Sequence, residues 1–132
     1  MLISRECDYA LRIIRNLNGE TVRAVSEIVE CENMTLAMGY KVSRKLEKAG
    51  LIRSIRGRKG GYLLAGSPEE ITVLDVYRSV EPDLLLVDCL EEGYNCPNHT
   101  KEHPCKMHRQ LCRLQRQLIQ DLTAIRIADV ID

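Results

Sequence analysis

The segment CPNHTKEHPC, residues 96–105, concentrates side chains that bind soft metals or take part in thiol chemistry. It holds two cysteines and two histidines, while Cys89 precedes it and His108 and Cys112 follow it. Thiolates and imidazoles are the usual ligands of zinc, and thiolates hold iron–sulfur clusters. In a reducing compartment, clustered cysteines bind metal or sense redox state more often than they form disulfides. The segment therefore predicts a metal or redox site near the end of the chain.

The rest of the sequence is typical of a globular protein. Hydrophobic residues make up 45% and charged residues 29% of the 132 positions, and the net charge is zero. No stretch approaches the roughly 18 apolar residues of a membrane-spanning helix, and the opening MLISRECDYALR lacks the apolar core of a signal peptide. We therefore predict a cytoplasmic protein with no membrane partner. With no Phe or Trp, the small aliphatic core favours a stabilising second subunit.

Basic side chains are concentrated between residues 41 and 60. This segment holds eight Lys and Arg residues against Glu47 alone, which gives it a net charge of +7. A local basic patch on a neutral protein predicts a polyanionic partner. The elements that carry the patch must therefore present it to solvent.

Hydrophobic periodicity and capping residues predict a helical first half followed by a hairpin. Helices are predicted over residues 5–17, 23–31 and 35–49. Thr35 is the predicted N-cap of the third helix, and Gly50 is the residue that stops it. Residues 51–65 form a predicted β-hairpin, because two short apolar runs flank the glycine-rich tip GRKGG.

The third helix has two different faces. Its predicted apolar stripe consists of Leu36, Val42, Leu46 and Ala49, and the other side carries Ala37, Tyr40, Lys41, Arg44, Lys45 and Lys48. Away from this helix, Cys7 and Cys31 are predicted to be buried, because an isolated cysteine behaves as a small hydrophobic side chain.

The second half of the chain predicts two helices joined by a long connection. Thr72 and Asp75 have the spacing of a capping box, which opens a helix over residues 72–80. A long connection, residues 83–103, leads to a helix over residues 105–122. In that helix Met107, Leu111, Leu114, Leu118 and Leu122 form a narrow apolar stripe. Such a stripe is typical of a helix that pairs with another helix.

The order helix, short helix, turn, basic helix and basic hairpin predicts a winged helix-turn-helix. The fold class is therefore mainly α, with a small β wing and a long C-terminal helix. The third helix would enter the major groove of double-stranded DNA, and the wing would reach phosphates or the minor groove. The basic contact residues on these two elements are Lys41, Arg44, Lys45, Arg56, Arg58 and Lys59. A merely solvated basic face, an RNA partner or a protein partner is the alternative.

Three stretches resemble a bacterial family of winged-helix regulators that includes IscR and NsrR. They are MLISRECDYALR, KLEKAGLIRSIRGRKGGYLLA and the cysteine-bearing segment before the last long helix. The most specific string is RGRKGGYLLA, because the family's wing reads RGxxGGYxL. The resemblance implies a homodimer on a palindromic operator, with the long C-terminal helix crossing between subunits. It places Thr35, Ala37, Tyr40 and Lys41 toward bases, with Arg44 and Lys45 as further contacts and Arg56 as the wing arginine.

The resemblance also implies an iron–sulfur cluster, either [2Fe–2S] or [4Fe–4S]. Cys89, Cys96 and Cys105 match the three cysteines of cluster-binding members, with slightly longer gaps. Cys112 is an additional thiol and the candidate fourth ligand. The alternatives are Asp8, where some members supply a carboxylate from the partner subunit, and His108, which follows Cys105 by three residues as in IscR-like members.

A structural zinc site is the principal alternative to a cluster, because His99, His103 and His108 lie among the cysteines. A thiol–disulfide switch is the next alternative. In either case the basic helix and wing would still bind DNA.

No enzyme constellation or small-molecule substrate site is predicted, because GRKGG lies in a hairpin rather than between a strand and a helix. We divide the chain into a winged helix-turn-helix domain, residues 1–82, a cysteine-bearing sensor loop, residues 83–104, and a dimerisation helix with its tail, residues 105–132. The sequence thus predicts a dimeric transcriptional regulator, a repressor as is most frequent in the family, whose DNA affinity depends on the cluster.

Overall fold

The computed structural model describes residues 3–131 of the chain. Its helices are α1 (Arg5–Arg15), α2 (Val25–Glu32), α3 (Leu36–Lys48), α4 (Val73–Val80) and α5 (Lys106–Ala124), with short 3₁₀ turns at Asp88–Leu90 and Ile127–Asp129. Strands β1 (Ile52–Ile55) and β2 (Gly61–Leu64) pair as an antiparallel hairpin. The described chain is therefore mainly helical with a small β wing, in the predicted order.

Side-chain caps explain where the predicted helices begin and end. The hydroxyl of Thr35 accepts a hydrogen bond of 3.2 Å from the backbone N–H of Met38, which caps α3. Gly50 follows the C-terminus of α3 with a φ of +79°, a conformation that glycine adopts without a steric cost. At α4, Thr72 and Asp75 form both hydrogen bonds of a capping box. These three predictions are confirmed. They could be made from the sequence because each depends only on residues close to one another along the chain.

The core is aliphatic and lies where α1 packs against α3 and α4. Ile13 and Ile14 of α1 and Val42 and Leu46 of α3 are essentially inaccessible to solvent. Such burial of apolar side chains is the main favourable term in folding. The helix pair α2 and α3 is thereby fixed to the rest of the chain.

The apolar stripe predicted for α3 is wrong at both ends. Leu36 is 48% exposed, and Ala49 is exposed as well. The buried stripe of α3 instead consists of Gly39, Val42, Ser43 and Leu46, which is the i, i+3, i+4, i+7 spacing of one helix face. Glycine and serine fill two of the four inward positions, so hydrophobicity alone could not locate this face.

The burial predictions for the two isolated cysteines have opposite outcomes. Cys7 is completely buried in the core, as predicted. The prediction for Cys31 is wrong, because its side chain is exposed. The inward face of α2 is occupied by Val25, Ile28 and Val29, which leaves Cys31 on the outer side of that helix.

The wing is anchored to the domain at both of its strands. Tyr62 of β2 exchanges two backbone hydrogen bonds with Arg23, of 2.8 and 2.9 Å, so the segment before α2 extends the hairpin. Ser54 of β1 donates a hydrogen bond of 2.7 Å to the carboxylate of Glu47 on α3. The orientation of the wing is therefore fixed relative to both α2 and α3.

The chain after α5 returns to the N-terminal core. Ile127 is completely buried, and its N–H donates to the carbonyl of Ile71 at 2.9 Å. The N–H of Val73 donates to the carbonyl of Ile125, also at 2.9 Å. These bonds and the short turn Ile127–Asp129 help to fix the end of α5 against α4. No helix within residues 3–131 is long and apolar enough to cross a bilayer.

Candidate DNA-binding surface and cysteine cluster

The residues predicted to contact DNA lie on one face of α3 and on the wing. Thr35, Ala37, Tyr40, Lys41, Arg44, Arg56, Arg58 and Lys59 are exposed, and Lys45 is half-buried. The exposed positions of α3 recur every three or four residues, which places them on a single side of the helix. The structure thus separates this polar face from the buried stripe that holds α3 in the domain.

A groove of about 350 Å³ lies between the start of α2, Tyr40 of α3 and the wing. Tyr40 of α3 lines one wall, Arg56 and Ser54 line the wing side, and Ser26 of α2 contributes at the other end. The predicted helix contact Tyr40 and the predicted wing contact Arg56 therefore open onto the same groove. A polyanion that lies along α3 would meet both elements.

Glu6 of α1 is part of this surface, although no sequence pattern pointed to it. Its carboxylate accepts hydrogen bonds from the ammonium groups of Lys41 and Lys45. The bond from Lys41, followed by that from Lys45, lowers the pKa of the Glu6 carboxyl below its ordinary value. Glu6 is separated from these lysines by 35 and 39 positions, so no local pattern could have revealed the contact.

Glu47, the single acidic residue of the basic segment, connects α3 to the wing. In addition to the bond from Ser54, it accepts a hydrogen bond of 3.4 Å from the hydroxyl of Tyr62. Burial of Tyr62, and then the nearby Glu47 charge, raise the pKa of the phenol. The phenol is thus held as a neutral donor, and Glu47 positions the wing rather than facing a ligand.

The start of α5 gathers two of the predicted cysteines around a pair of histidines. Cys105 is the N-cap of α5, and its Sγ accepts a hydrogen bond of 3.4 Å from the N–H of His108. The N–H of Cys105 donates to Nδ1 of His99 at 3.0 Å. The rings of His99 and His108 stack with centroids 4.2 Å apart, and Nε2 of His108 lies 3.3 Å from Sγ of Cys112.

Cys89 and Cys96 lie on the connection that leads to this cluster. Cys89 belongs to the turn Asp88–Leu90, which packs against α5. Gln115 of α5 fixes the approach to that turn, because its side chain accepts a hydrogen bond of 2.9 Å from the N–H of Leu86 and donates one to the carbonyl of Leu84. The Cys96 carbonyl accepts from the N–H of His99 at 3.1 Å. All four thiols are half-buried and free.

The donors fit a soft metal or an iron–sulfur cluster in type, but they are not gathered into one site. No group of three or more His, Cys, Asp or Glu side chains in the described part of the chain is arranged to hold a metal ion. Nδ1 of His108 is buried and has no hydrogen-bond partner among those residues, while Nε2 of the same ring contacts Cys112. The connection carrying Cys89 and Cys96 would have to move to complete a four-thiolate set.

Asp8, the alternative ligand on α1, is paired with a cation of its own helix. Its carboxylate accepts from Nε of Arg12 at 3.0 Å. Both side chains line a cavity of about 470 Å³ that is also bounded by Tyr77 of α4 and Leu122 of α5. Within one subunit, Asp8 therefore faces an arginine rather than a thiol.

The apolar stripe of α5 is partly uncovered. Met107 is 66% exposed and Leu114 is 49% exposed, while Leu111, Leu118 and Leu122 are half-buried. No residue of α5 in the described chain is fully buried. A stripe of this kind gains free energy when a second helix covers it.

Comparisons with known proteins agree with this architecture. Residues 3–132 match the family model described as Rrf2, iron-dependent transcriptional regulator. The HTH-type transcriptional regulator NsrR of Halalkalibacterium halodurans is 33% identical over 127 residues, which cover 94% of this chain and 81% of that protein. Protein aau3 of Rhizobium meliloti is 31% identical over 100 residues, 74% of this chain and 65% of that protein. The chain therefore spans just under two thirds of that relative.

Among solved structures, that of CymR, the global cysteine regulator of B. subtilis, is similar over nearly the whole chain. The two share 27% sequence identity with a TM-score of 0.74, and the match covers 97% of this chain and 94% of that one. This likeness confirms the prediction of a mainly helical winged-helix fold with a C-terminal helix.

Proposed function

Because this chain belongs to the Rrf2 family of iron-dependent transcriptional regulators, we propose that it is a cytoplasmic repressor that binds a palindromic operator as a homodimer. Membership of a regulator family also confirms the prediction that the chain is not an enzyme. The observation that carries the proposal is the exposed basic face of α3 together with the basic wing, where Tyr40 and Arg56 line the same groove. Iron–sulfur cluster binding in the cysteine-bearing segment would modulate the DNA affinity.

DNA recognition is assigned to α3 and the wing in distinct roles. Thr35, Ala37, Tyr40 and Lys41, on the first turns of α3, would meet base edges in the major groove, while Arg44, Lys45, Arg56, Arg58 and Lys59 would meet phosphates or the minor groove. Phosphate neutralisation supplies most of the sequence-independent affinity. Base contacts would then determine which operator is bound.

The experiment that tests DNA binding compares salt dependence in two variants. Duplexes are first selected by the wild-type protein from a random pool, and binding is then measured from low to moderate salt. Arg44→Ala and Lys45→Ala should each weaken binding and reduce the slope of log affinity against log salt by about 0.9. Arg113→Ala, an exposed arginine of α5, serves as the control and should leave the slope unchanged. Unchanged slopes in all three variants would remove Arg44 and Lys45 from the interface.

Dimerisation is assigned to α5 through its uncovered stripe. Residues 105–132 would form the dimerisation element, residues 1–82 the DNA-binding domain and residues 83–104 the sensor loop between them. Pairing of Met107 and Leu114 with the partner's helix would remove their apolar surface from water. The two winged domains would then face the two halves of a palindrome.

The cofactor is assigned to Cys89, Cys96, Cys105 and Cys112, with Asp8 and His108 as alternative fourth ligands. When bound, an iron–sulfur cluster supplies redox- and ligand-sensitive iron held by thiolates. Coordination by Cys89 and Cys96 would draw their connection onto the start of α5, where Cys105 and Cys112 already lie near His108. Because α5 packs against α4, the order of this loop would be coupled to the pose of the winged domain.

The visible spectrum of protein purified without oxygen, with its iron and sulfide content, tests the cofactor assignment. Broad visible absorbance with bound iron and sulfide is the expected result. A colourless protein that retains zinc would instead favour the structural zinc alternative, for which His99, His108, Cys105 and Cys112 are donors of the right type. A protein that stays colourless and metal-free after attempted cluster reconstitution would favour the third alternative, a thiol–disulfide switch.

A further inference from the structure

Two cations of α3 are already paired with a carboxylate of the same chain. Lys41 donates to Oε1 of Glu6 and Lys45 donates to Oε2, so one glutamate of α1 holds two lysines one turn apart on α3. The Glu6 side chain is 23% exposed, whereas the side chains of Lys41 and Lys45 are 54% and 36% exposed. This arrangement resembles the way a backbone phosphate would be held by the same two lysines.

Other cations of the surface have no such partner. None of the ion pairs formed within residues 3–131 involves Arg44 on α3 or Arg56 on the wing. Lys41 and Lys45 are therefore distinguished from their neighbours by a built-in counter-ion. Arg44 and Arg56 could therefore bind phosphates without first breaking an ion pair within the chain.

The Glu6 carboxylate and a DNA phosphate would attract the same two ammonium groups. If the lysines turn to phosphates, Glu6 loses both hydrogen bonds and is left as an anion beside a polyanion, which is unfavourable. If the lysines stay on Glu6, their remaining N–H donors can still reach a phosphate, but the Glu6 charge cancels one of the two positive charges. In both cases the net charge that Glu6, Lys41 and Lys45 offer to DNA is +1 rather than +2.

We propose that Glu6 is an internal competitor of DNA phosphate: it withholds Lys41 and Lys45 and so lowers the affinity of the protein for DNA of any sequence. The proposal rests on the DNA-binding function proposed above. Glu6 acts through the two lysines and is a positioning residue, not a contact residue. Its effect is to weaken electrostatic binding to bulk DNA. Lys41 would leave Glu6 for its proposed base edge only on an operator whose other base and wing contacts compensate for the lost ion pair.

The test uses the full chain and a labelled DNA duplex of random sequence. The duplex is roughly 30 base pairs long, which is about three helical turns. Affinity is measured over a salt series for the wild type, Glu6→Gln and Glu30→Gln. The control, Glu30, is exposed on α2 and undergoes the same change of charge. Glu6→Gln should bind roughly fivefold more tightly at moderate salt, and its salt slope should steepen by about 0.9. Glu30→Gln should change the affinity by less than about twofold.

A second pair of proteins separates direct pairing from a general change in charge. In a Lys41→Gln/Lys45→Gln background, Glu6→Gln should no longer tighten binding, because its partners are absent. An equal gain in that background would overturn the proposal, as would weaker binding by Glu6→Gln in the wild-type background. Thermal unfolding checks the fold of each variant, and Glu6→Ala replaces Glu6→Gln if the latter is unstable. Absence of salt-dependent binding by the wild type would reject the DNA-binding function itself.

Discussion

The carboxylate of Glu32 and the guanidinium of Arg15 form a two-point contact that joins α2 to α1. Nε of Arg15 donates to Oε1 at 2.6 Å, and the terminal Nη2 donates to Oε2. Asn16 donates a third hydrogen bond to Oε1, also at 2.6 Å. Glu32 is buried, so its charge is stabilised by these donors rather than by water. Because α2 packs against α3, the contact also supports the position of α3.

The first prediction concerns the pH dependence of this contact. The bonds from Arg15, and to a smaller extent from Asn16, lower the pKa of Glu32 below its ordinary value of 4.5, although burial opposes them. Since the pKa is lower in the folded state, the stabilisation is complete above the unfolded value and is lost as pH falls through the folded one. Glu32→Gln should therefore lower the free energy of unfolding by about 2 kcal/mol at pH 7 and progressively less in acid.

Urea unfolding of the wild type and of Glu32→Gln across acidic and neutral pH provides the measurement. Glu30→Gln is the matched control, because Glu30 lies on the same helix but is exposed. A difference between wild type and Glu32→Gln that stays constant from neutral pH to below pH 4 would contradict the assigned role of the charge.

Much of the fold could be predicted because its signals are local. Thr35 caps α3, and Thr72 with Asp75 caps α4, through contacts three residues apart. The periodicity of α1 likewise depends on neighbouring turns. The contacts of Glu32 with Arg15 and of Glu6 with Lys45 span 17 and 39 positions, and only the packed helices bring those residues together.

The candidate site could be predicted by residue type but not by geometry. Thiols and histidines between residues 89 and 112 indicate a metal or redox site, yet the structure gathers only Cys105 and Cys112 around His108. Likewise, the basic side chains predicted an outward face for α3, but the hydrophobic pattern placed Leu36 on the inward face. The inward positions instead include Gly39 and Ser43. Composition reveals the available chemistry, whereas distances depend on long-range packing.

The second prediction tests the close packing of α2 on α3 at Gly39. A methyl group there would overlap Cγ1 of Val29 and lie 3.0 Å from Cγ1 of Val25. Alanine favours helices over glycine by about 1 kcal/mol, but both valines are buried and have restricted rotamers. Gly39→Ala should therefore destabilise the protein by about 2 kcal/mol in denaturant unfolding.

Two further variants identify the cause of that destabilisation. Gly39→Ala combined with Val29→Ala should be more stable than the sum of the single changes predicts, because the second change provides space for the methyl group. Gly19→Ala, with no atom within 4 Å of the added Cβ, should change stability by less than about 0.5 kcal/mol. A stabilised Gly39→Ala protein would show that helix propensity outweighs packing here.

The third prediction tests the proposed cluster ligands. Cys89→Ala, Cys96→Ala, Cys105→Ser and Cys112→Ser should each abolish the visible absorbance of anaerobically prepared protein, with loss of iron and sulfide. Serine is chosen at position 105 because it preserves the N-cap acceptor of α5. Cys31→Ser is the control, since this thiol is exposed on α2, and its spectrum should match the wild type.

The fourth ligand is tested in the same assay. Asp8→Asn and His108→Gln should retain the absorbance if Cys112 is the ligand, as proposed. Retention by Cys112→Ser, together with loss in one of the other two variants, would transfer the role to Asp8 or His108. Cys96→Ala with an unchanged spectrum would remove Cys96 from the site.

The last prediction tests dimerisation through α5. Leu114→Glu places a charge on the uncovered stripe, where a paired helix would have to bury it at a large cost in free energy. Glutamate favours helices, so α5 should remain helical by circular dichroism while light scattering shows conversion of dimer to monomer. Gln120→Glu introduces the same charge outside the stripe, six residues further along α5 and about 120° around the helix from Leu114, and should remain dimeric. A Leu114→Glu protein that is as dimeric as Gln120→Glu would exclude this stripe from the subunit interface.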